Sequence, residues 1–189
     1  MRVALLLLPL LAGCASSYMQ RAEPMGPPGP NEAKVVFCRP SRALGGAVTF
    51  PVWDGTQLIG FSESGGTIEY RCTPGEHVFI ASAQSYKGMS ASLAGGQVYY
   101  VWLTPRVGFL SAAVGLTRVG KDDTELLAQV RASLQENEYK AKLPEKCDPY
   151  EAKRRDTIRE VLEEFRSGKR TPEPPLRADD GHRDGVPTP

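Results

Sequence analysis

The chain has 189 residues, 23 basic and 22 acidic side chains, and a formal net charge of +1. No basic excess points to nucleic acid, and no strong acidity points to a disordered acidic tail. The length allows one domain with a modest core plus extensions.

At the amino end, Arg2 precedes an apolar run from Val3 to Leu11 that is broken by Pro9. A membrane-spanning helix needs roughly 20 apolar residues. This run is too short for that, and residues 1–13 instead read as a secretory signal with charged, apolar and small-residue segments. Leu11-Ala12-Gly13-Cys14 resembles the bacterial lipobox. The resemblance implies that Cys14 becomes the first mature residue, carrying diacylglycerol on its sulfur and an acyl chain on its amino group. Several acyl chains hold stably where one does not. The expected partner is therefore a membrane, reached through the lipid without a transmembrane helix. By likeness to the sorting of such lipoproteins, Ala15 after the cysteine implies the outer membrane, facing the periplasm. A plain secretory signal with an incidental cysteine is the alternative. Loss of Arg2 with the signal leaves 22 basic against 22 acidic residues.

Three further cysteines remain: Cys38, Cys72 and Cys147. In an oxidising periplasm a Cys38–Cys72 disulfide is one expectation and three buried or free thiols are the other, since connectivity does not follow from sequence. Residues 14–33 hold Pro24, Pro27, Pro28 and Pro30, with Gly26 and Gly29 among them. Proline at this density favours an extended, semi-rigid spacer that holds the folded part off the membrane. The other reading is an arm lying on the domain.

From residue 34 to about residue 120 short strands alternate with turn signals. Lys34–Arg39 is the first strand. Phe50–Trp53 and Gln57–Phe61 flank Asp54-Gly55, a hairpin signal, because glycine tolerates the positive φ that a primed turn needs. Thr67–Cys72 alternates, with Ile68, Tyr70 and Cys72 on one face and Thr67, Glu69 and Arg71 on a wet face. Pro74-Gly75 turns the chain into Val78–Ser82. Met89–Leu93, the Gly95-Gly96 turn and Gln97–Leu103 follow; the last, apolar on both faces, reads as central. Phe109–Val119 closes the set, as a buried last strand or as an edge that pairs with another protein. The predicted fold is mainly β: an antiparallel β-sandwich of about seven or eight short strands followed by two C-terminal helices. Short gaps between strands argue against parallel pairing.

Residues 121–168 read as a helical extension. Asp122 with Glu125 resembles a capping box, and Leu126, Leu127, Val130 and Leu134 form one stripe. Leu143-Pro144 breaks that helix, and Asp148-Pro149 starts a second one, with Ile158, Val161, Leu162 and Phe165 on one face and Gly168 as its stop. The stripe docks on its own sheet or on a partner. Residues 169–189 are rich in proline and poor in bulky apolar groups, and read as a disordered tail.

Four blocks appear in order within residues 34–120: Val35-Val36-Phe37-Cys38-Arg39-Pro40-Ser41-Arg42; Val52-x-Asp54-Gly55 with Leu58-Ile59-Gly60; Tyr70-x-Cys72-x-Pro74-Gly75-Glu76-His77-x-Phe79; and Ala94-Gly95-Gly96-x-x-Tyr99-Tyr100-Val101. They resemble a domain-of-unknown-function family of small bacterial lipoproteins, whose sandwich is similar to PEGA-like and carboxypeptidase regulatory-like modules. Cys38, where that family implies an aromatic residue, departs from it. The resemblance implies a fold and a location, and no reaction.

Catalytic patterns are sparse. His182 lies in the tail, and His77 sits alone after a turn, whereas nucleophilic catalysis needs a base, a nucleophile and an orienting group together. No serine lies in a Gly-x-Ser-x-Gly turn. The cysteine spacing suits no zinc site, and no phosphate-binding loop is present. Arg39, Ser41 and Arg42 form the polar cluster best suited to an anion or partner contact, because paired guanidiniums bind carboxylate or phosphate bidentately; the other reading, and the favoured one, is a strand end whose arginines are salt-bridged to nearby acids. The expectation is a non-catalytic, lipid-anchored scaffold or binding module of the cell envelope, without cofactor, metal or nucleic acid, facing an envelope protein or peptidoglycan. The alternative is a periplasmic hydrolase, or an accessory subunit of an envelope enzyme or transport complex, using Arg39, Glu76 and His77.

Overall fold

A computed structural model describes residues 17–41, 46, 48–107, 112–183 and 185. The signal and Cys14 therefore lie outside the described residues, as does Arg42. The described elements are β1 (Met19–Arg21), β2 (Ala33–Arg39), β3 (Phe50–Asp54), β4 (Gln57–Ser62), β5 (Gly66–Cys72), β6 (Gly75–Ser82), β7 (Tyr86–Leu93), β8 (Gln97–Val107), β9 (Ala112–Arg118), α1 (Thr124–Glu136), β10 (Glu138–Lys142), α2 (Pro144–Arg166), β11 (Glu173–Leu176) and a single 3-10 turn, Ala178–Asp180. The protein is mainly β. The strands form a six-stranded sheet in the order β1-β10-β5-β2-β8-β9 and a five-stranded sheet in the order β11-β7-β6-β3-β4.

The hairpin expected at Asp54-Gly55 is present. Asp54 pairs with Gln57 across a two-residue loop, and Gly55 supplies a φ of 55°. Alternation then sorts the side chains. Val35 and Phe37 of β2 and Tyr99, Val101 and Leu103 of β8 join the main core, which also holds Phe79 and Met89 of the other sheet. Phe37 meets Phe79 edge-on, with ring centroids 5.3 Å apart. The intervening residues Val36, Cys38, Val98, Tyr100 and Trp102 point the other way and are covered by Leu127 and Val130 of α1. That second cover explains why β2 and β8 are apolar on both faces. α2 lies on the five-stranded sheet: Tyr150 is 6.1 Å from Trp53, and the Leu58 amide donates to Glu151.

Several expectations are corrected. Pairing is mixed: β2 runs parallel to β8, β10 to β5, and β11 to β7. Short gaps between successive strands do not forbid this, because the β2-to-β8 crossover is made of the intervening strands, most of which belong to the other sheet. The helix starts also shift. A Gly120–Asp123 turn leaves Asp123, not Asp122, capping α1, where its Oδ1 accepts from the Leu126 amide at 3.0 Å. Pro144 starts α2 rather than ending α1, because the residue before a proline is held extended and proline suits the first helical turn; Leu143 has φ −86° and ψ 107°. Pro149, expected to start α2, lies inside it.

The spacer and the tail are also corrected. Residues 17–33 lie on the body: β1 pairs with β10, and Met19 is buried. Arg71 donates to the carbonyls of Gly26 and Pro27 at 3.0 and 3.2 Å. A Cβ at Gly95 would meet the Pro30 carbonyl oxygen at 2.0 Å, so only glycine admits the arm there. The tail packs as β11 on β7, with Leu176 buried, and His182 exchanges backbone hydrogen bonds of 2.8 Å with Val98. Low apolar content mattered less than the unpaired strand groups that these segments satisfy. The wet face expected on β5 is wet at Arg71, which is exposed, and is covered at its other two positions. Thr67 is buried, and Glu69 forms a 2.8 Å ion pair with Lys34 under the arm.

Candidate functional site

Arg39 ends β2, where alternation sends its side chain to the main core. It is fully buried, and its Nη1 donates to the carbonyls of Val48 at 2.8 Å and Ser62 at 2.7 Å. Its guanidinium lies 4.6 Å over the Phe50 ring, and burial lowers its pKa from the ordinary arginine value. A cation so enclosed ties the two sheets together through the Ser62 carbonyl rather than standing on the surface. The Arg39-Ser41-Arg42 contact is therefore corrected at Arg39. Ser41 is exposed, and Arg42 is outside the described residues.

The Cys38–Cys72 disulfide is also corrected. Both thiols are free. Cys72 pairs across from Ala33, five residues along β2 from Cys38. That offset is about 17 Å at strand rise, far beyond disulfide reach. The side chains also point to opposite faces, Cys38 toward α1 and Cys72 toward the main core. Burial pushes the Cys38 thiol up to about 12. Cys147 is buried, with its Sγ 3.3 Å from the Tyr18 carbonyl.

The structure does bring a carboxylate and a hydroxyl to His77. Nδ1 lies 2.8 Å from Asp54 Oδ2, Nε2 lies 2.8 Å from the Thr73 carbonyl, and the Tyr70 hydroxyl donates to the same Asp54 oxygen at 3.0 Å. Both neighbours of the ring are acceptors, so both ring nitrogens donate and the ring is imidazolium. Hydrogen bonds to Asp54 first, and then to Cys72, raise its pKa to about 10. Burial and Asp54 push Tyr70 upward too. A ring with two committed protons has no lone pair to act as a base. Glu76, next to His77 on β6, points to the opposite face and is exposed. Asp54 and Tyr70 come from β3 and β5, one in each sheet, so no sequence spacing links them to His77.

A cavity lies elsewhere, at the outer edge of the six-stranded sheet. It has a volume of about 630 Å³ and is walled by the end of β9, the loop before α1, and the β11-to-3-10 segment. Arg118 Nη1 lies 2.5 Å from Asp180 Oδ1, and Asp180 Oδ2 accepts the Arg177 amide at 2.8 Å. Lys121, Asp122, Asp123, Arg177 and Asp179 stand exposed around this pair. The lining carries charges of both signs and holds no histidine, cysteine or serine. No local sequence signal marks this cleft, because one of its walls is the proline-rich segment after Arg170, which packs only through long-range pairing. Among the described residues no cluster of His, Cys, Asp and Glu is arranged to hold a metal, and no helix is long and apolar enough to cross a membrane. Compared with protein-family models, curated proteins and solved structures, the chain matches none.

Proposed function

We propose that this protein is a non-catalytic binding module of the bacterial cell envelope, acylated at Cys14 in the outer membrane and facing the periplasm. In this reading the two sheets make a β-sandwich of the kind seen in small lipoproteins with PEGA-like modules. The lipobox-like Leu11-Ala12-Gly13-Cys14 supports the anchor. The observation that carries the binding role is the cleft of about 630 Å³, with the Arg118–Asp180 ion pair at 2.5 Å among its walls and charges of both signs around it. Such a cleft suits a ligand that presents ammonium and carboxylate together, as the peptide stems of peptidoglycan do. The locked imidazolium of His77 speaks against the hydrolase reading, since its ring offers no proton acceptor.

Intact-mass measurement on membrane-extracted protein is expected to show a triacylated chain beginning at Cys14, and a soluble, unmodified form would refute the anchor. Purified protein is expected to sediment with isolated peptidoglycan. The double substitution Lys121→Glu with Arg177→Glu is expected to reduce that sedimentation several-fold while leaving the thermal midpoint unchanged. Equal sedimentation of the double variant would remove the cleft from the account.

A further inference from the structure

The arm and the cleft sit at opposite ends of one sheet. β1 is one edge strand of the six-stranded sheet and β9 the other. Five inter-strand spacings separate them, about 24 Å. The described chain begins at Ser17, where the Lys146 ammonium donates to the Ser17 carbonyl at 2.7 Å. Tyr18 follows, its carbonyl accepting the Leu143 amide at 2.9 Å. Three residue steps from Cys14 to Ser17 reach at most ~11 Å. A lipid on Cys14 therefore cannot hang the body at a distance, and whatever surrounds Ser17 meets the bilayer.

That surroundings has a distinct chemistry. Tyr18 is exposed and stacks on Phe61 at 4.3 Å, and Tyr150 meets both rings edge-on. Over residues 146–157 of α2, a helical stripe about 100° wide contains Lys146, Tyr150, Lys153, Arg154 and Thr157, three cations and no carboxylate. Lys153 and Arg154 are exposed, and Arg154 lies over the Tyr150 ring at 5.8 Å. Glu63, which accepts from Ser17 Oγ, faces Lys140 at 3.8 Å. Glu151 lies outside that stripe, accepts from the Leu58 amide and is paired with Lys142 and Arg155. Tyrosine rings with polar tips belong at the headgroup level of a bilayer, and lysines and arginines beside them are attracted to anionic lipid.

We infer that the short tether seats the body directly on the membrane, with Tyr18 and the Lys146–Arg154 stripe of α2 against anionic phospholipid headgroups and the charged cleft turned away from the lipid. This rests on acylation of Cys14 as proposed above. The arrangement leaves the cleft open to a ligand in the periplasm and makes one face of α2 a membrane contact.

Lysine acetylation footprinting tests it. The acylated full chain is placed in vesicles of phosphatidylethanolamine and phosphatidylglycerol, and the Cys14→Ser form is labelled in solution. Mass spectrometry reads the label on each lysine and the acyl groups on Cys14 in the same sample. Lys146 and Lys153 are expected to lose reactivity several-fold on vesicles relative to the soluble form, while Lys121 at the cleft and Lys169 keep theirs. If the chain is acylated and all four lysines react as in solution, the docking is wrong and the anchor stands. If Lys121 is protected and Lys153 is not, the orientation is wrong. If Cys14 carries no lipid, the anchor and the docking fall together.

Discussion

At the scale of single residues, the two groups that looked most chemical are both structural. His77 is held as imidazolium by Asp54 and the Thr73 carbonyl, with a pKa raised from 6.5 to about 10. A raised folded-state pKa means that the folded protein keeps a proton the unfolded chain releases. The contribution is complete below about pH 6.5 and is lost as pH rises toward about 10. Asp54→Asn is expected to lower stability by about 2 kcal/mol near pH 6 and to flatten this dependence. Urea midpoints compared near pH 6 and near pH 10 would check it, because the gap between the two proteins should narrow at the higher pH. Arg39 is the second case. Arg39→Ala strands the Val48 and Ser62 carbonyls and empties the space over Phe50. A loss of about 3 kcal/mol is expected from unfolding titrations. Neither role was legible in the chain, where Arg39-Pro40-Ser41-Arg42 looks like an exposed basic turn.

At the scale of elements, local pattern and final structure agree where the signal is short-range. The Asp54-Gly55 hairpin, the strand from Gln97 and the helix ending ahead of Gly168 need only neighbouring residues to form. They diverge where an edge recruits a distant segment. β11 contains two prolines and little apolar surface, yet it covers β7 because an uncovered edge exposes unpaired amides and carbonyls, and Leu176 anchors it with 1 % of its surface exposed. Leu176→Ala is expected to cost about 2–4 kcal/mol and to make the segment after Arg170 sensitive to protease. Limited proteolysis read by mass spectrometry would show the new cut, and an uncut segment with unchanged stability would mean that the edge holds without its anchor.

At the scale of the whole molecule, residues 34–120 are not a self-sufficient unit. The six-stranded sheet takes β1 and β10 from outside that range, α1 covers Val36, Val98 and Tyr100, and α2 supplies Cys147, Ile158, Val161 and Leu162 to the main core. A fragment of residues 34–120 would expose these apolar faces, and a small core cannot spare that much burial. It is expected to aggregate or to melt without a cooperative transition, whereas residues 17–185 melt cooperatively. Circular dichroism melts of both would decide the matter.

The sequence by itself determined the mainly β class, the positions of most strands, the existence of two helices and the lipobox-like start, because side-chain periodicity and turn chemistry are local and survive in any tertiary setting. Only the tertiary structure decided which strands lie side by side, that three pairs run parallel, that arm and tail close the body, and that Arg39 and His77 are enclosed. Those outcomes depend on long-range burial and on finding partners for backbone groups at sheet edges. A one-dimensional pattern carries no record of which distant segment will supply them.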